Sequence, residues 1–188
     1  MVSPHYFITG TDTGCGKTRI TTEYMAALAR RGVRVAGMKP VASGGQREGG
    51  RLINDDARRI QALSNVALPY ELVNPWVLEA PCSPNIAAAR EGVRIDLAGI
   101  VKAYQQVSDQ AEVVLVEGIG GWRVPFAPGL ESRDLVEKLG LRVIVVVGLR
   151  LGCINHARLT LEAIQADGIP VLGWVGNEPD PGFDSLEE

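Results

Sequence analysis

The sequence predicts an α/β protein whose central sheet is mainly parallel and is covered by helices on both faces. Two observations predict it. Five short runs are almost entirely apolar, as expected of strands that are buried on both faces of a sheet. These runs alternate with segments of helical periodicity, the pattern of parallel strands joined by crossover helices. The strands are predicted at residues 6–9, 33–38, 113–116, 143–147 and 171–175.

In the first half of the chain, the strand at 6–9 stops at a glycine. Residues 17–31 then carry apolar side chains at helical spacing until another glycine ends the helix. After the strand at 33–38, residues 41–54 are rich in glycine and polar side chains and are predicted to be loop. The helix predicted at 55–64 has acidic residues in its first turn, where the helix dipole favours them.

In the second half, residues 69–84 hold four prolines and are predicted to be irregular. Helices are predicted at 84–90 and 96–110, before the third strand. A glycine-rich loop and a helix at 133–139 follow that strand. The last helix, at 154–166, has apolar side chains on one face and separates the last two strands.

Composition limits the classes of protein that remain possible. With 188 residues, 46% of them hydrophobic, and no internal repeat or linker, the chain is expected to form a single domain over residues 1–188. No run approaches the roughly 18 apolar residues of a membrane-spanning helix, and the N-terminus lacks the order of a signal peptide. Three widely separated cysteines fit reduced thiols, and a net charge of −3 gives no support for non-specific nucleic-acid binding. These features predict a soluble cytoplasmic protein that binds neither nucleic acid nor membrane.

The segment GTDTGCGKT at residues 10–18 resembles a phosphate-binding loop with one residue too many. The usual loop has four residues between its first glycine and Gly-Lys-[Ser/Thr], whereas five separate Gly10 from Gly16. The segment lies between a predicted strand and a helix, where backbone N–H groups and the helix N-terminus converge on a phosphate. Lys17 is then expected to contact the β- and γ-phosphates and Thr18 to coordinate Mg²⁺. The alternative is a glycine-rich turn before a helix that happens to begin with Lys-Thr.

Two acidic residues are candidate metal ligands. Glu117 follows the apolar strand at 113–116, so its carboxylate is predicted to leave the carboxyl edge of the sheet toward a metal. The alternative is a solvated acid at a strand end. Asp56 lies in NDDA, where an acid in the first turn of a helix is the competing interpretation.

Lys39 directly follows the second strand and is predicted to lie at the same sheet edge as the phosphate loop. A solvated surface lysine is the alternative. The segment KPVASGG continues as a proline-stiffened turn toward Ser43 and two glycines that let backbone approach a ligand. A second anion site is predicted where Gly152 leads into the last helix, whose N-terminus offers free backbone N–H groups.

Five segments together carry a resemblance that covers residues 6 to about 177. They are GTDTGCGKT, KPVASG, NDDA, LVEGIGGW and LGCINH, in this order. They closely resemble the dethiobiotin synthetase family, whose phosphate loop has the same extra residue. GTDTGCGKT is thus the regular form of that family and not a damaged P-loop. The resemblance implies a single-domain P-loop NTPase fold, a three-layer sandwich with a mainly parallel central sheet.

The resemblance also implies an activity. Members of this family are ligases of biotin biosynthesis that convert 7,8-diaminononanoate, CO₂ and Mg-ATP into dethiobiotin, ADP and phosphate. An amine takes up CO₂ as a carbamate, the γ-phosphoryl group is transferred to it, and the second amine closes the ring on the mixed anhydride. Phosphoryl transfer of this kind needs clustered positive charge more than covalent help.

The family match assigns roles to particular residues. Lys17 and Lys39 are the catalytic cations, and Mg²⁺ is held by Thr18, Asp56 and Glu117. The ATP site is expected to comprise Gly14, Cys15, Gly16, Lys17, Thr18, Arg19, Asp56, Glu117, Gly118, Ile119, Gly120, Asn177 and Glu178, with Asn177 reading the nucleobase. Substrate contacts are assigned to Thr13, Ser43, Gly152, Cys153, Ile154 and Asn155. The last four are expected to reach the substrate carboxylate from the other subunit of a homodimer.

This chain departs from its relatives in three respects. Gly14 and Cys15 stand where some relatives have an acidic residue and a valine, and Cys15 is expected to place an oxidisable thiol beside the phosphates. Arg150 stands where a lysine is common, which keeps the charge. The chain also ends several dozen residues earlier than its relatives, before a segment that lines their base pocket. Weak discrimination between ATP and other nucleoside triphosphates is therefore expected.

Three alternative functions remain open. A related ATP-dependent ligase or amidotransferase of the same fold would need a different acceptor site, against which KPVASG and LGCINH argue. A nucleotide-dependent switch of the partitioning-ATPase type would carry an additional lysine early in the P-loop, where this chain has Thr11-Asp12-Thr13. A shortened paralogue that turns over poorly is the third.

Overall fold

The computed structural model describes residues 5–179. The strands in this range are β1 (Tyr6–Gly10), β2 (Val35–Met38), β3 (Val41–Ser43), β4 (Gln46–Glu48), β5 (Arg51–Ile53), β6 (Trp76–Leu78), β7 (Val113–Glu117), β8 (Pro125–Ala127), β9 (Leu130–Glu131), β10 (Arg142–Gly148) and β11 (Val171–Asn177). The helices are α1 (Lys17–Arg30), α2 (Asp55–Leu63), α3 (Tyr70–Val73), α4 (Pro84–Glu91), α5 (Leu97–Ser108), α6 (Ser132–Leu139) and α7 (Cys153–Ala166). No helix in this range is long and apolar enough to cross a membrane.

The central sheet has five strands in the order β11-β10-β1-β7-β2, and every neighbouring pair is parallel. These strands are the five that the apolar runs predict, so the predicted fold class is confirmed. Parallel strands need crossover connections. Helices supply them here: α1 lies between β1 and β2 in the chain, α5 precedes β7, α6 precedes β10 and α7 precedes β11.

Helices cover both faces of this sheet, as the packing of β10 shows. Alternate valines, beginning with Val143, belong to the main core cluster together with residues of α5, α6 and α7. The intervening Ile144 and Val146 belong to a second cluster, against which Ile20 and Tyr24 of α1 pack. Because successive side chains of a strand point to opposite faces, the protein has the three layers of a helix–sheet–helix sandwich.

The prediction that residues 41–54 form only loop is wrong. β3 pairs in parallel with β6, and β4 pairs antiparallel with β5 across Gly49 and Gly50. These glycines have φ angles of 55° and 85°, and a two-residue hairpin turn of type I′ requires positive φ at both positions. A Gly-Gly pair between short segments is thus a hairpin signal as well as a loop signal.

Residues 69–84 are also more regular than predicted, because they contain α3 and β6. The prolines lie at element boundaries: Pro69 precedes α3, and Pro84 is the first residue of α4. A proline fits the first helical turn, since its missing N–H would have no partner there. The glycine-rich region after β7 likewise contains a short antiparallel hairpin, β8–β9.

The order of the strands brings the candidate segments to one edge of the sheet. The phosphate loop follows β1, Glu117 ends β7, and Lys39 follows β2. β7 lies between β1 and β2. Because the carboxyl ends of parallel strands meet at one edge, where α/β proteins bind ligands, this edge is the location of the candidate site.

Candidate active site

A cavity of about 860 Å³ opens at this edge. The predicted site residues that line it are Thr13, Gly14, Gly16, Lys17, Thr18, Arg19, Lys39, Ser43, Asp56, Glu117, Ile119 and Gly120. Four segments that are far apart in the sequence therefore converge on one space. Its volume lies within the range of small-molecule sites.

The phosphate loop between β1 and α1 needs glycine at its end. Gly16 precedes α1 with a φ of 98°, and a Cβ there would lie 2.1 Å from Nδ2 of Asn177. That amide donates to the carbonyl of Cys15 at 2.9 Å, so the last residue of β11 holds the loop from one side. On the other side, Arg150 forms an ion pair with Asp12. The loop is thus fixed by the last residue of β11 and by a residue that follows the neighbouring strand β10.

Lys17 is buried in the first turn of α1. Its ammonium group donates to the carbonyl of Asp12 at 2.9 Å and to that of Gly120 at 2.6 Å. Burial lowers the pKa of Lys17 below its ordinary value, and the like charge of Lys39 acts in the same direction. Backbone carbonyls from the P-loop and from the loop after β7 thus hold this ammonium group inside the cavity.

Lys39 and Glu117 form a buried ion pair. Nζ of Lys39 lies 2.6 Å from Oε1 of Glu117, and the two residues are 4% and 0% exposed. Oδ2 of Asp56 lies 3.5 Å from the same Nζ, and the hydroxyl of Thr18 donates to Oε1 of Glu117 at 2.9 Å. The solvated alternatives for Lys39 and Glu117 are therefore wrong. Asp56 both lies in the first turn of α2 and contacts Lys39.

The charge on Lys39 is fixed by its neighbours. Burial disfavours the ammonium form, but Glu117 and Asp56 outweigh burial and raise the pKa of Lys39 above its ordinary value. Lys39 therefore carries a full positive charge at neutral pH. It lies at the same cavity as Lys17, so two cations face the space in which a phosphate would sit.

Two buried oxygen atoms at the cavity, Ser43 Oγ and Glu117 Oε2, have no hydrogen-bond partner within residues 5–179. A buried polar atom without a partner is costly unless a ligand satisfies it. The hydroxyl of Thr18 and the carboxylates of Asp56 and Glu117 would present only oxygen atoms to a metal ion. Mg²⁺ prefers such donors and commonly takes one or two carboxylates plus phosphate oxygens. The residues present therefore fit a magnesium ion beside a nucleotide.

Some predicted residues do not line the cavity. They are Cys15, Gly118, Gly152, Cys153, Ile154, Asn155, Asn177 and Glu178. The expectation that Cys15 adds an oxidisable thiol is wrong, because oxidation needs an accessible sulfur and Cys15 is fully buried in the cluster with Ile8 and Val146. The segment from Gly152 to Asn155 forms the start of α7, away from the lining of this chain's own cavity.

The cavity also contains residues that the sequence patterns did not single out, among them Asn54, Arg59 and Arg123. Asn54 had a local signal, since an asparagine before a helix is a preferred N-cap. Arg123 had none: its guanidinium lies 2.6 Å from the carboxylate of Asp167, which is 44 positions away in the chain. Trp122 donates to the same carboxylate at 2.7 Å. The residue after α7 thus fastens the loop that supplies Gly120.

Comparison with known proteins decides the family. The family described as an AAA domain matches residues 5–187. ATP-dependent dethiobiotin synthetase BioD of Xanthomonas oryzae pv. oryzae (strain PXO99A) is 50% identical over 188 residues, which is 100% of this chain and 84% of the relative. The chain belongs to the dethiobiotin synthetase family. The same enzyme of Xanthomonas axonopodis pv. citri (strain 306) matches this member of the family to the same extent. The resemblance carried by the five segments is thereby confirmed.

Solved structures share the fold of this dethiobiotin synthetase family member. The kinase domain of Escherichia coli tyrosine kinase ETK matches with a TM-score of 0.54 and 12% identity, over 95% of this chain and 68% of that chain. The chimerical protein CapA2B2 matches with a TM-score of 0.56 and 18% identity, over 94% and 76% of the two chains. At these identities the likeness concerns the fold alone.

Proposed function

We propose that this protein is an ATP-dependent dethiobiotin synthetase, a ligase that joins 7,8-diaminononanoate and CO₂ into the cyclic urea of dethiobiotin in biotin biosynthesis. The observation that carries the proposal is the 50% identity, over the whole chain, to relatives named for that activity. The cavity supports it, because the P-loop lysine, a second buried lysine and a set of oxygen donors meet there. Those are the groups that a phosphoryl transfer needs.

The chemistry proceeds in three steps. An amine of the substrate adds to CO₂ and loses a proton, which gives a carbamate. A carbamate oxygen then attacks the γ-phosphorus of ATP while the bond to ADP breaks, so a poor leaving group becomes a good one. Finally, the second amine attacks the carbamoyl carbon, the bond to phosphate breaks, a proton leaves, and the ring closes.

The side chains divide this work. Lys17 exchanges its two carbonyl partners for the β- and γ-phosphates and holds them before the reaction starts. Lys39, kept charged by Glu117 and Asp56, stabilises the charge that develops during the transfer. Thr13 and Ser43 contact the carbamate or the γ-phosphate. Ser43 Oγ, buried without a partner within the described residues, gains one from these oxygens.

Magnesium is the expected cofactor beside ATP. Thr18, Asp56 and Glu117 would hold it, and the ion would neutralise the charge of the phosphate oxygens. Glu117 can serve both cations because its two oxygens are used differently. Oε1 accepts from Lys39 and Thr18, while Oε2 has no partner within residues 5–179.

The proposal includes a homodimer in which α7 of one subunit receives the substrate carboxylate of the other. Gly152, which precedes α7, offers no side-chain cap, and the N–H of Cys153 donates to the carbonyl of Arg150 at 2.9 Å, so the N–H groups of Ile154 and Asn155 are the ones available to an anion. Apolar side chains around this helix are exposed: Leu151, which lies just before it, is 94% exposed, and Trp174 on β11 is 62% exposed. Exposed apolar patches of this kind often mark protein interfaces.

A single incubation tests the proposed activity. The protein is mixed with diaminononanoate, bicarbonate and Mg-ATP, and dethiobiotin is measured by mass, with ADP measured in the same samples. Samples lacking the diamine serve as the control for idle ATP hydrolysis. Equal ADP with and without the diamine, and no dethiobiotin, would rule out this function.

Substitution of the metal ligands should change the magnesium requirement. Thr18→Val, Asp56→Asn and Glu117→Gln each remove an oxygen donor or its charge. Each should raise the Mg²⁺ concentration for half-maximal activity by at least about tenfold, the lower end of what loss of even an outer-shell partner costs. The measurement is dethiobiotin formation at fixed ATP over a range of Mg²⁺ concentrations. If Asp56→Asn responds like the parent, Asp56 serves only as an acid in the first turn of α2.

A further inference from the structure

A chain of hydrogen bonds beside the cavity runs through Asn54, Tyr70 and Asn74. The proposed chemistry uses none of these three residues. The hydroxyl of Tyr70, in α3, accepts from the backbone N–H of Asn54 at 2.8 Å and donates to Oδ1 of Asn74 at 3.0 Å. Nδ2 of Asn74 donates to the backbone carbonyl of Lys39 at 2.6 Å. Asn54 and Asn74 are buried. The Tyr70 hydroxyl therefore links the backbone N–H of Asn54 to the side-chain amide of Asn74.

One end of this chain holds the backbone of Lys39. Its carbonyl accepts from Asn74, and its N–H donates to the carbonyl of Val73 at 2.8 Å. Both backbone groups of Lys39 are thus bonded to α3 or to the residue that follows it. The position at which the Lys39 side chain leaves the end of β2 is set by these two contacts.

The other end holds the helix that carries Asp56. Asn54 is the N-cap of α2, and its Oδ1 accepts from the backbone N–H of Ala57 at 3.2 Å. Its Nδ2 donates to the carbonyl of Ser43 at 3.3 Å. The hydroxyl of Tyr70 fixes the backbone of this cap residue, so it controls where the first turn of α2 begins.

We propose that Tyr70 and Asn74 are positioning residues that fix Lys39 and Asp56 relative to each other. This inference rests on the proposed function, in which the two side chains act on one phosphoryl transfer. Lys39 and Asp56 come from different elements, and their charged atoms are 3.5 Å apart. Groups that stabilise a transition state must be held to within about 0.5 Å by packing and by outer hydrogen bonds. The Tyr70 hydroxyl links the two elements that need such support.

A purely structural role makes a different prediction. Buried polar groups need partners for stability alone, so loss of the Tyr70 hydroxyl would then lower only the melting temperature. A positioning role also changes catalysis and the response to Mg²⁺ at temperatures where the protein is fully folded, because Asp56 would no longer be held in place.

Tyr70→Phe tests this, since it keeps the ring and removes only the hydroxyl. The expected result is a fall in kcat and in the affinity of the metal site, each on the order of 10- to 100-fold, the usual effect of losing an outer-shell partner. Nucleotide affinity without Mg²⁺ should stay at the parental value, because the P-loop and Lys17 are not part of the chain. Leu72→Ala is the matched control: Leu72 lies in the same helix and its side chain packs against the main core cluster, so the substitution should lower the melting temperature without altering kcat or the Mg²⁺ response.

A double variant strengthens the test. If Tyr70 and Asn74 act through one chain, Tyr70→Phe/Asn74→Ala loses about as much kcat as the worse single variant, because the losses of coupled residues do not add. Metal affinity is read from the Mg²⁺ dependence of binding of a fluorescent ATP analogue, which needs no diamine, so the inference can be judged even if no dethiobiotin forms. Parental kcat and Mg²⁺ response in Tyr70→Phe, or losses that add in the double variant, would overturn it.

Discussion

Lys39→Ala is expected to lower kcat by roughly 10²- to 10³-fold, the usual effect of removing one group that stabilises developing charge, while the Kd for ATP stays nearly the same. In the proposed mechanism, Lys17 and Mg²⁺ hold the phosphates in the ground state, whereas Lys39 meets the charge that appears only during transfer. Single-turnover formation of ADP measures the chemical step, and binding of a fluorescent ATP analogue measures Kd.

The burial of Lys39 requires a control for folding. Glu117 is 0% exposed, and breaking a buried ion pair by removing one partner costs about 3–5 kcal/mol because the other charge is left uncompensated. Lys39→Ala alone therefore confounds lost charge with lost stability. The double variant Lys39→Met/Glu117→Gln replaces both charges with neutral side chains of similar volume, and it should regain most of the melting temperature without regaining turnover.

The comparison separates two roles for Lys39. If Lys39 served only to neutralise Glu117, the double variant would recover turnover together with stability when assayed at a higher Mg²⁺ concentration. A kcat that is comparable to the parent in Lys39→Ala, measured well below its melting temperature, would show that Lys39 takes no part in the transfer.

The sequence predicts the parts of this site that depend on local patterns. The five sheet strands are recognisable because they are apolar on both faces, and the P-loop because strand, glycines and Lys17 follow each other directly. The ion pair of Lys39 with Glu117 depends instead on the order of the strands. These residues are 78 positions apart and meet because β2 and β7 are neighbours. The strand ends alone placed both residues at one edge of the sheet, but only the family resemblance gave them roles in one reaction.

No comparable sequence pattern indicated the direction of side chains inside the P-loop or the long-range polar contacts. The sulfur of Cys15 turns into the core because Gly10, the last residue of β1, leaves space for it: a Cβ at that glycine would lie 2.3 Å from Sγ of Cys15. The Tyr70 hydroxyl meets Asn54 across 16 positions and Asn74 meets Lys39 across 35. Neither contact follows helical or strand periodicity, so a single sequence gives no reason to expect it.

If two subunits share each substrate site, two variants with lesions in different parts of the site should regain activity when they form mixed dimers. The carboxylate of diaminononanoate is several methylenes from its amines, so amines bound near Lys39 need a separate anion site. The start of α7 does not line the cavity of its own chain, and a second copy related by a two-fold axis can bring it there. Asn155→Asp places a negative charge in this first turn without harm to the helix, since the dipole favours acids at that end. It should raise KM for the diamine and leave ATP affinity unchanged, because Asn155 does not line the nucleotide cavity.

Asn155→Asp and Lys39→Met/Glu117→Gln are then mixed, denatured and refolded together, and activity is assayed at a diamine concentration well below the raised KM. A mixed dimer has one site with both lesions and one site with neither. Random reassortment makes about half of the dimers mixed, so roughly a quarter of parental activity should return. Each variant refolded alone is the control and should stay nearly inactive. If tagged subunits show that mixed dimers form and activity does not rise above these controls, all parts of the site come from one chain and the assignment of α7 to the substrate carboxylate is wrong.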